Sequence, residues 1–154
     1  LEYIKGGENI TAVVDYAHTP DALENVLKTL KDCAGDSEII TVFGCGGNRD
    51  KTKRPEMAAV SAKYSDRVVV TSDNPRFEEP ESIIEDIKQG FERSQLSRVL
   101  FITDRREAIR TSVALANPGS IILVAGKGHE NYQDVKGVKH HFDDKEILNE
   151  VFNM

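Results

Sequence analysis

Short apolar runs alternate with segments of helical periodicity along the whole chain. The runs are rich in β-branched residues and are continuous rather than alternating, which is typical of strands buried on both faces. They cover residues 10–14, 39–43, 67–71, 99–102 and 121–124. Strands that alternate with helices in this way predict a parallel sheet with helices on both faces. We therefore predict a single α/β domain over residues 1–154, Rossmann-like, with a mostly parallel sheet of five or six strands.

Residues that favour helix starts separate these runs. Thr19 and Pro20 combine an N-cap residue with a proline at the first helical position. Prolines or pairs resembling a capping box mark the other predicted starts, at Pro55, Pro80, Asp104–Glu107 and Asp143–Glu146. Because helix N-termini and the carboxyl ends of parallel strands meet at one edge of the sheet, we expect ligands to bind there.

The loops at that edge contain the chemically unusual residues of the sequence. They are residues 15–19, 44–53, 72–76, 103–105 and 126–133, and four of these five loops carry polar clusters. Neither glycine-rich loop is a recognised phosphate-binding motif. Arg49 stands where a dinucleotide fingerprint would have its third glycine, and Lys127 is followed by glycine rather than by the Ser or Thr of a P-loop. The sequence therefore predicts no site that holds a triphosphate by itself.

Composition narrows the class of protein. The chain has 154 residues, with 20 Lys and Arg against 26 Asp and Glu, and the net charge of −6 argues against nucleic acid as a partner. No apolar run approaches the roughly 18 residues of a transmembrane helix, and no signal peptide is recognised. Two cysteines cannot make a disulfide framework, so we expect a cytoplasmic protein. Because residue 1 is Leu rather than Met, we also expect a piece of a longer or processed chain.

Two of the polar loops leave alternatives open. Asp15 could accept hydrogen bonds from ribose hydroxyls and His18 could approach a phosphate, or both could merely order the turn after the first strand. Arg49 has a planar fork that suits a carboxylate or a phosphate, or it could belong to a solvated charged loop.

A third loop suggests recognition of an amino acid. Asp73, Asn74 and Arg76 lie within four residues shaped by Pro75, and such a set can bind both an ammonium and a carboxylate, although an Asx-type turn is the alternative. Glu130 adds a second acid. The histidines lack metal-ligand spacing, so we predict no metal site, and we do not expect Cys45 to be a nucleophile.

Four motifs in chain order resemble the C-terminal domain of Mur ligases, and within that family the MurE-type ligases of peptidoglycan synthesis. They are residues 15–21 (DYAHTPD), 42–51 (VFGCGGNRDK), 73–76 (DNPR) and 125–130 (AGKGHE). The resemblance implies three domains in the whole enzyme: one for the UDP-sugar, a central ATPase domain, and a Rossmann-like third domain that corresponds to this chain. ATP and Mg²⁺ would then be bound mainly by the central domain.

The resemblance also implies a reaction and a set of site residues. A cytoplasmic, monomeric ligase would add meso-diaminopimelate to UDP-MurNAc-L-Ala-D-Glu through an acyl phosphate, with Arg76 pairing with the extra carboxylate of the amino acid. Residues implied for the amino acid are Arg49, Asp73, Asn74, Pro75, Arg76, Gly126 and Glu130, and those implied for the nucleotide are Asp15 and His18. No catalytic residue is assigned, and the isolated domain is expected to be inactive.

Two other functions remain open from the sequence. A folylpolyglutamate-type ligase shares the Asp-x-Ala-His turn, although residues 73–76 count against it. A non-catalytic small-molecule-binding module would use the same loops without the chemistry.

Overall fold

The computed structural model describes residues 1–154 and contains one six-stranded sheet. Its strands are β1 (Glu2–Lys5), β2 (Thr11–Asp15), β3 (Ile39–Phe43), β4 (Arg67–Val70), β5 (Val99–Phe101) and β6 (Ile121–Ala125). The order across the sheet is β1-β2-β6-β3-β4-β5, and every pairing is parallel except that of β1 with β2. The predicted α/β class and mostly parallel sheet are confirmed, with six strands.

Helices cover both faces of this sheet. They are α1 (Pro20–Ala34), α2 (Lys53–Tyr64), α3 (Pro80–Lys88), α4 (Arg105–Leu115) and α5 (Asp144–Phe152). Helices α1, α2 and α3 share one apolar cluster, and α4 and α5 share a second. In β3, Ile39 and Phe43 belong to the first cluster whereas Ile40 and Val42 belong to the second. Successive strand residues therefore point into different cores, which explains the continuous apolar runs.

The predicted helix starts are largely confirmed. The Thr19 side chain accepts a hydrogen bond from the backbone N–H of Ala22, and Pro20 is the first residue of α1. Asp104 and Asp143 likewise cap α4 and α5 by accepting backbone N–H groups. Helix α2 begins at Lys53, two residues before the proline that marks its start in the sequence.

Three elements have no counterpart in the predicted strands and helices. These are β1, a short 3₁₀ helix (Arg93–Arg98), and a separate antiparallel hairpin of β7 (Tyr132–Val135) and β8 (Val138–His141). Part of the hairpin is predicted as loop because its residues are polar and half-buried or exposed, so they form no apolar run. Its turn uses Lys136 and Gly137 at positive φ, a pair without the usual Asn-Gly signal. No helix anywhere in the fold combines the length and apolar character that crossing a bilayer requires.

Candidate functional site

A cavity of about 260 Å³ opens at the carboxyl edge of the sheet. Its lining comes from four of the five loops singled out in the sequence, and the loop of residues 103–105 takes no part. Seven of the nine predicted site residues line it: His18, Arg49, Asp73, Asn74, Arg76, Gly126 and Glu130. The topology thus brings together residues more than 100 positions apart, because β2, β3, β4 and β6 all end at this edge.

The other two predicted residues, Asp15 and Pro75, do not line the cavity. One carboxylate oxygen of Asp15 accepts the backbone N–H of Ala17 at 2.9 Å. Pro75 is buried, and its carbonyl oxygen would lie only 1.8 Å from a Cβ at residue 47. Gly47 is therefore required where the loop of residues 44–53 passes the loop of residues 72–76. Pro75 packs against Gly47 and supports the cavity loops without lining the cavity.

Arg76 enters the cavity from a constrained backbone. Its φ of 53° lies in the left-handed region, which is uncommon for a residue with a side chain. Its backbone N–H donates to Asp134 at 2.9 Å, and its carbonyl accepts from Lys136 at 2.7 Å. In the side chain, Nη1 donates to the carbonyls of Gly47 and Asn74, at 3.0 and 3.4 Å. Both bonds are donated by Nη1, so the second terminal nitrogen of the guanidinium group, Nη2, can face a ligand.

Arg49 and Arg76 both lie close to Gly46 on the lining of the cavity. A Cβ at Gly46 would lie 2.8 Å from Nη1 of Arg76 and 3.5 Å from Cγ of Arg49. Arg49 is exposed, and its recorded hydrogen bond is to the neighbouring carbonyl of Asn48. The pair offers two guanidinium groups, which suit the oxygens of carboxylates or phosphates.

Carboxylates also line the cavity. Oδ2 of Asp73 would lie 3.1 Å from a Cβ at residue 126, where glycine has a φ of 120°. Oε1 of Glu130 lies 3.5 Å from Nδ2 of Asn74. A lining that contains both guanidinium groups and carboxylates can bind a ligand that carries charges of both signs.

Sequence reasoning missed Lys127, which is fully buried next to Asp73. Its Nζ lies 2.9 Å from Asp73 Oδ1, 2.9 Å from Asn74 Oδ1 and 2.8 Å from the carbonyl oxygen of Tyr132. The signal in the sequence is its position shortly after a buried strand, at the edge where the polar loops meet.

A second missed residue, Arg54, fixes the loop of residues 44–53. It is 1% exposed and donates to Gly46, Glu78 and Asp86 at 2.8–3.2 Å. Hydrogen bonds from Arg54, with a further one from the backbone N–H of Asn48, lower the pKa of Glu78 from 4.5 to about 2. Glu78 therefore ties two cavity loops together as a carboxylate.

A third missed arginine, Arg105, joins the strand ends to α5. It is fully buried, forms two 2.8 Å bonds with Asp144, and donates to the carbonyls of Ser72 and Ala125. These carbonyls follow β4 and end β6, so the ion pair holds the backbone from which the cavity loops leave.

Cys45 and His18 also line the cavity. Burial raises the pKa of the Cys45 thiol to about 12, so this side chain stays a thiol near neutral pH and is no ready nucleophile. His18 is exposed, with Nδ1 3.0 Å from the carbonyl oxygen of Tyr16. No group of three or more His, Cys, Asp or Glu side chains comes together as a potential metal site in residues 1–154.

The fold and the cavity define a class of protein: a Rossmann-like α/β domain whose strand-end loops line a cavity with arginines and carboxylates. Residues 1–128 match the family model described as Mur ligase, glutamate ligase domain. The chain belongs to the Mur ligase family.

Individual relatives indicate which members of the Mur ligase family the chain is similar to. The chain is 60% identical over 154 residues to the UDP-N-acetylmuramoyl-L-alanyl-D-glutamate–2,6-diaminopimelate ligase of Bacteroides thetaiotaomicron, covering 99% of this chain and 32% of that protein. It is 51% identical over 153 residues to the ligase of the same name from Clostridioides difficile, covering 99% of this chain and 31% of that protein. The chain therefore spans about a third of the length of the curated relatives that it matches.

Solved structures agree in fold. A structure of a UDP-N-acetylmuramoyl-L-alanyl-D-glutamate–2,6-diaminopimelate ligase superposes with a TM-score of 0.91 at 47% identity, over 99% of this chain and 31% of that chain. The folylpolyglutamate synthase of Thermotoga maritima reaches 0.63 at 19% identity, over 99% of this chain and 32% of that one, a likeness of fold alone. A ligase domain from Haemophilus ducreyi also reaches 0.63, at 18% identity, and the match covers 97% of that crystallised chain.

Proposed function

We propose that this chain is the amino-acid-binding and ATP-closing domain of a ligase that adds meso-diaminopimelate to UDP-MurNAc-L-Ala-D-Glu. The observation that carries the proposal is the cavity, whose lining combines arginines, among them Arg49 and Arg76, with carboxylates, among them Asp73 and Glu130. The names of the relatives support the same substrates. The proposal places the whole protein in the cytoplasm as a monomer, with further domains for the UDP-sugar and for ATP, serving cell-wall synthesis, cell shape and division.

Meso-diaminopimelate fits the polarity of the cavity. It carries an ammonium and a carboxylate at each end, whereas lysine lacks the second carboxylate. In this proposal Arg76 and Arg49 receive carboxylate oxygens, and Asp73 and Glu130 receive an ammonium. A site with a buried charge rejects a ligand that leaves this charge unpaired, so Arg76 would select meso-diaminopimelate over lysine.

The proposed chemistry is formation of an amide through an acyl phosphate. The γ-carboxylate of the D-glutamate residue takes the terminal phosphoryl group of ATP and ADP leaves. The neutral amine of meso-diaminopimelate then attacks the acyl carbon, inorganic phosphate leaves, and the amine nitrogen loses a proton to solvent as the amide forms. This domain contributes by placing the amine and by closing over the other substrates. We assign no general base to it.

ATP and Mg²⁺ would be held mainly by residues outside this chain. Within it, the exposed imidazole of His18 lies at the cavity and suits a phosphate, and Asp15 lies at the end of β2, where a ribose could meet it. The contacts that both residues make with their own turn give each a fixed orientation.

An assay of the full-length ligase tests the proposal. Phosphate release that depends on UDP-MurNAc-L-Ala-D-Glu is measured with meso-diaminopimelate, with lysine, and with folate plus glutamate. We expect activity with meso-diaminopimelate, little with lysine and none with folate. Release that requires folate would establish the folylpolyglutamate alternative instead.

Titration of the 154-residue chain alone tests the remaining alternative. We expect weak or undetectable binding of meso-diaminopimelate and ATP, because other domains complete the site. Micromolar binding by the chain alone would favour a stand-alone binding module.

A further inference from the structure

Lys127 makes its polar contacts inside the protein. Its Nζ donates hydrogen bonds to Asn74 Oδ1 at 2.9 Å and to the carbonyl of Tyr132 at 2.8 Å, and it forms an ion pair with Asp73 Oδ1 at 2.9 Å. The residue is fully buried, so its ammonium is out of reach of a ligand in the cavity, unlike a lysine that binds phosphate.

This arrangement determines which way the Asn74 amide points. Its Oδ1 receives Nζ of Lys127 and the backbone N–H of Asp134, both at 2.9 Å. Both partners can only donate, so the atom facing them must be the carbonyl oxygen of the amide. The amide nitrogen is consequently turned toward Glu130 and the cavity. Asn74 thus presents donors to the ligand.

Lys127 also gives the two carboxylate oxygens of Asp73 different surroundings. Oδ1 lies against the ammonium, whereas Oδ2 lies beside Gly126 on the cavity lining. Asp73 therefore presents a hydrogen-bond acceptor to the cavity, next to the donor of Asn74. Lys127 contacts both side chains and so orients both groups.

Strand β7 holds the backbone of this loop from the other side. Gln133 donates its side-chain amide to the carbonyl of Asp73 at 2.7 Å. Arg76 exchanges backbone hydrogen bonds with Asp134 and Lys136. Because the loop itself is held in place, removing Lys127 is expected to alter mainly the side-chain orientations.

We propose that Lys127 is a positioning residue that turns the Asn74 amide nitrogen toward the cavity, and so selects a ligand with a carboxylate oxygen opposite that nitrogen. The identity of the ligand as an amino acid rests on the proposed function. The orientation of the amide does not, because it follows from the contacts within the chain.

The kinetic test uses Lys127→Met in the full-length ligase. Loss of one oriented hydrogen bond to a charged group corresponds to a rise of about tenfold to a hundredfold in the KM for meso-diaminopimelate. We expect kcat and the KM for ATP to change less than about twofold, because the ligand carboxylate contact is not made to ATP. Lys31→Met, an exposed lysine on α1, is the matched control and should leave all three unchanged.

A second variant guards against loss of folding. Asn74→Asp keeps an oxygen toward Lys127 but turns the cavity-facing donor into an acceptor. It should raise the KM for meso-diaminopimelate at least as much, and a cooperative melting transition shows that the variant is folded. An unchanged KM in either folded variant would overturn the proposal.

A spectroscopic readout separates this inference from the proposed function. The related domain from Haemophilus ducreyi was crystallised as a single domain, and this chain has two cores of its own, so the 154-residue chain is suitable for NMR. The coupling across the hydrogen bond between the Asp134 amide nitrogen and Asn74 Cγ should be present and should weaken in Lys127→Met, because Asp134 alone then holds the amide oxygen. A coupling of unchanged size in the variant would overturn the positioning role. A weakened coupling, with a wild-type enzyme that does not use meso-diaminopimelate, would overturn only the proposed function.

Discussion

The two walls of the cavity are built differently. The inner wall, residues 72–76 with 126–135, is held by fully buried Lys127 and by backbone bonds to β7. The outer wall, residues 44–53, has exposed side chains from residue 48 to residue 53, with Arg54 as its buried anchor at the start of α2. A wall fixed before binding sets which ligand is accepted, because its groups cost little to order. The exposed outer wall leaves Arg49 able to adjust to a ligand or to a neighbouring domain.

The largest expected effect is a loss of stability on substitution of Arg105, which holds the backbone from which the inner wall begins. Arg105→Ala leaves the carboxylate of Asp144 buried without its partner, and this should lower the free energy of unfolding by about 3–5 kcal/mol. Denaturant unfolding measures it. Arg106→Ala removes an exposed ion pair with Glu150 and should cost less than about 1 kcal/mol. Equal losses in the two variants would contradict the buried role of Arg105.

Paired substitutions compare the two walls directly. On the proposed function, Arg76→Ala in the full-length ligase should raise the KM for meso-diaminopimelate about tenfold to a hundredfold, because a charge-assisted hydrogen bond to the ligand would be lost. Arg49→Ala should raise it less, since that side chain is exposed. Steady-state kinetics at saturating ATP provide the values. A larger effect at Arg49 would reverse the assignment of rigid and adjustable walls.

The smallest expected effect concerns pH. Glu78 has a folded pKa lowered to about 2 from 4.5, so its ion pair stabilises the fold fully above the ordinary value and is lost as pH falls toward 2. The Glu78→Gln variant should therefore be less stable than wild type near neutral pH, and the difference should shrink through that interval. Melting temperatures along a pH series check this. A difference that grows on acidification would be the wrong sign.

Much of the fold could be predicted because burial on both faces leaves a strong mark in the sequence. The continuous run 39–43 matches β3 residue for residue, and the loops after the strands contain the cavity lining. Burial of charge leaves no such mark. Lys127, Arg54 and Arg105 pair with residues 20 to 60 positions away, so their partners emerge only from the topology.

Two of the predicted site residues are not among those that line the cavity. They are Asp15, at the end of β2, and Pro75, and a sequence motif specifies a position along the chain without the direction of each side chain. Their predicted contacts with nucleotide and amino acid stay predictions.

The strand order also affects how the chain folds. Strands β2 and β3 are consecutive in the sequence but do not pair, because β6 lies between them and residue 11 pairs with residue 121. During synthesis, the centre of the sheet therefore stays open until residue 125 has left the ribosome. Such long-range pairing is slow, and the exposed edges of β2 and β3 are the segments expected to need chaperone protection.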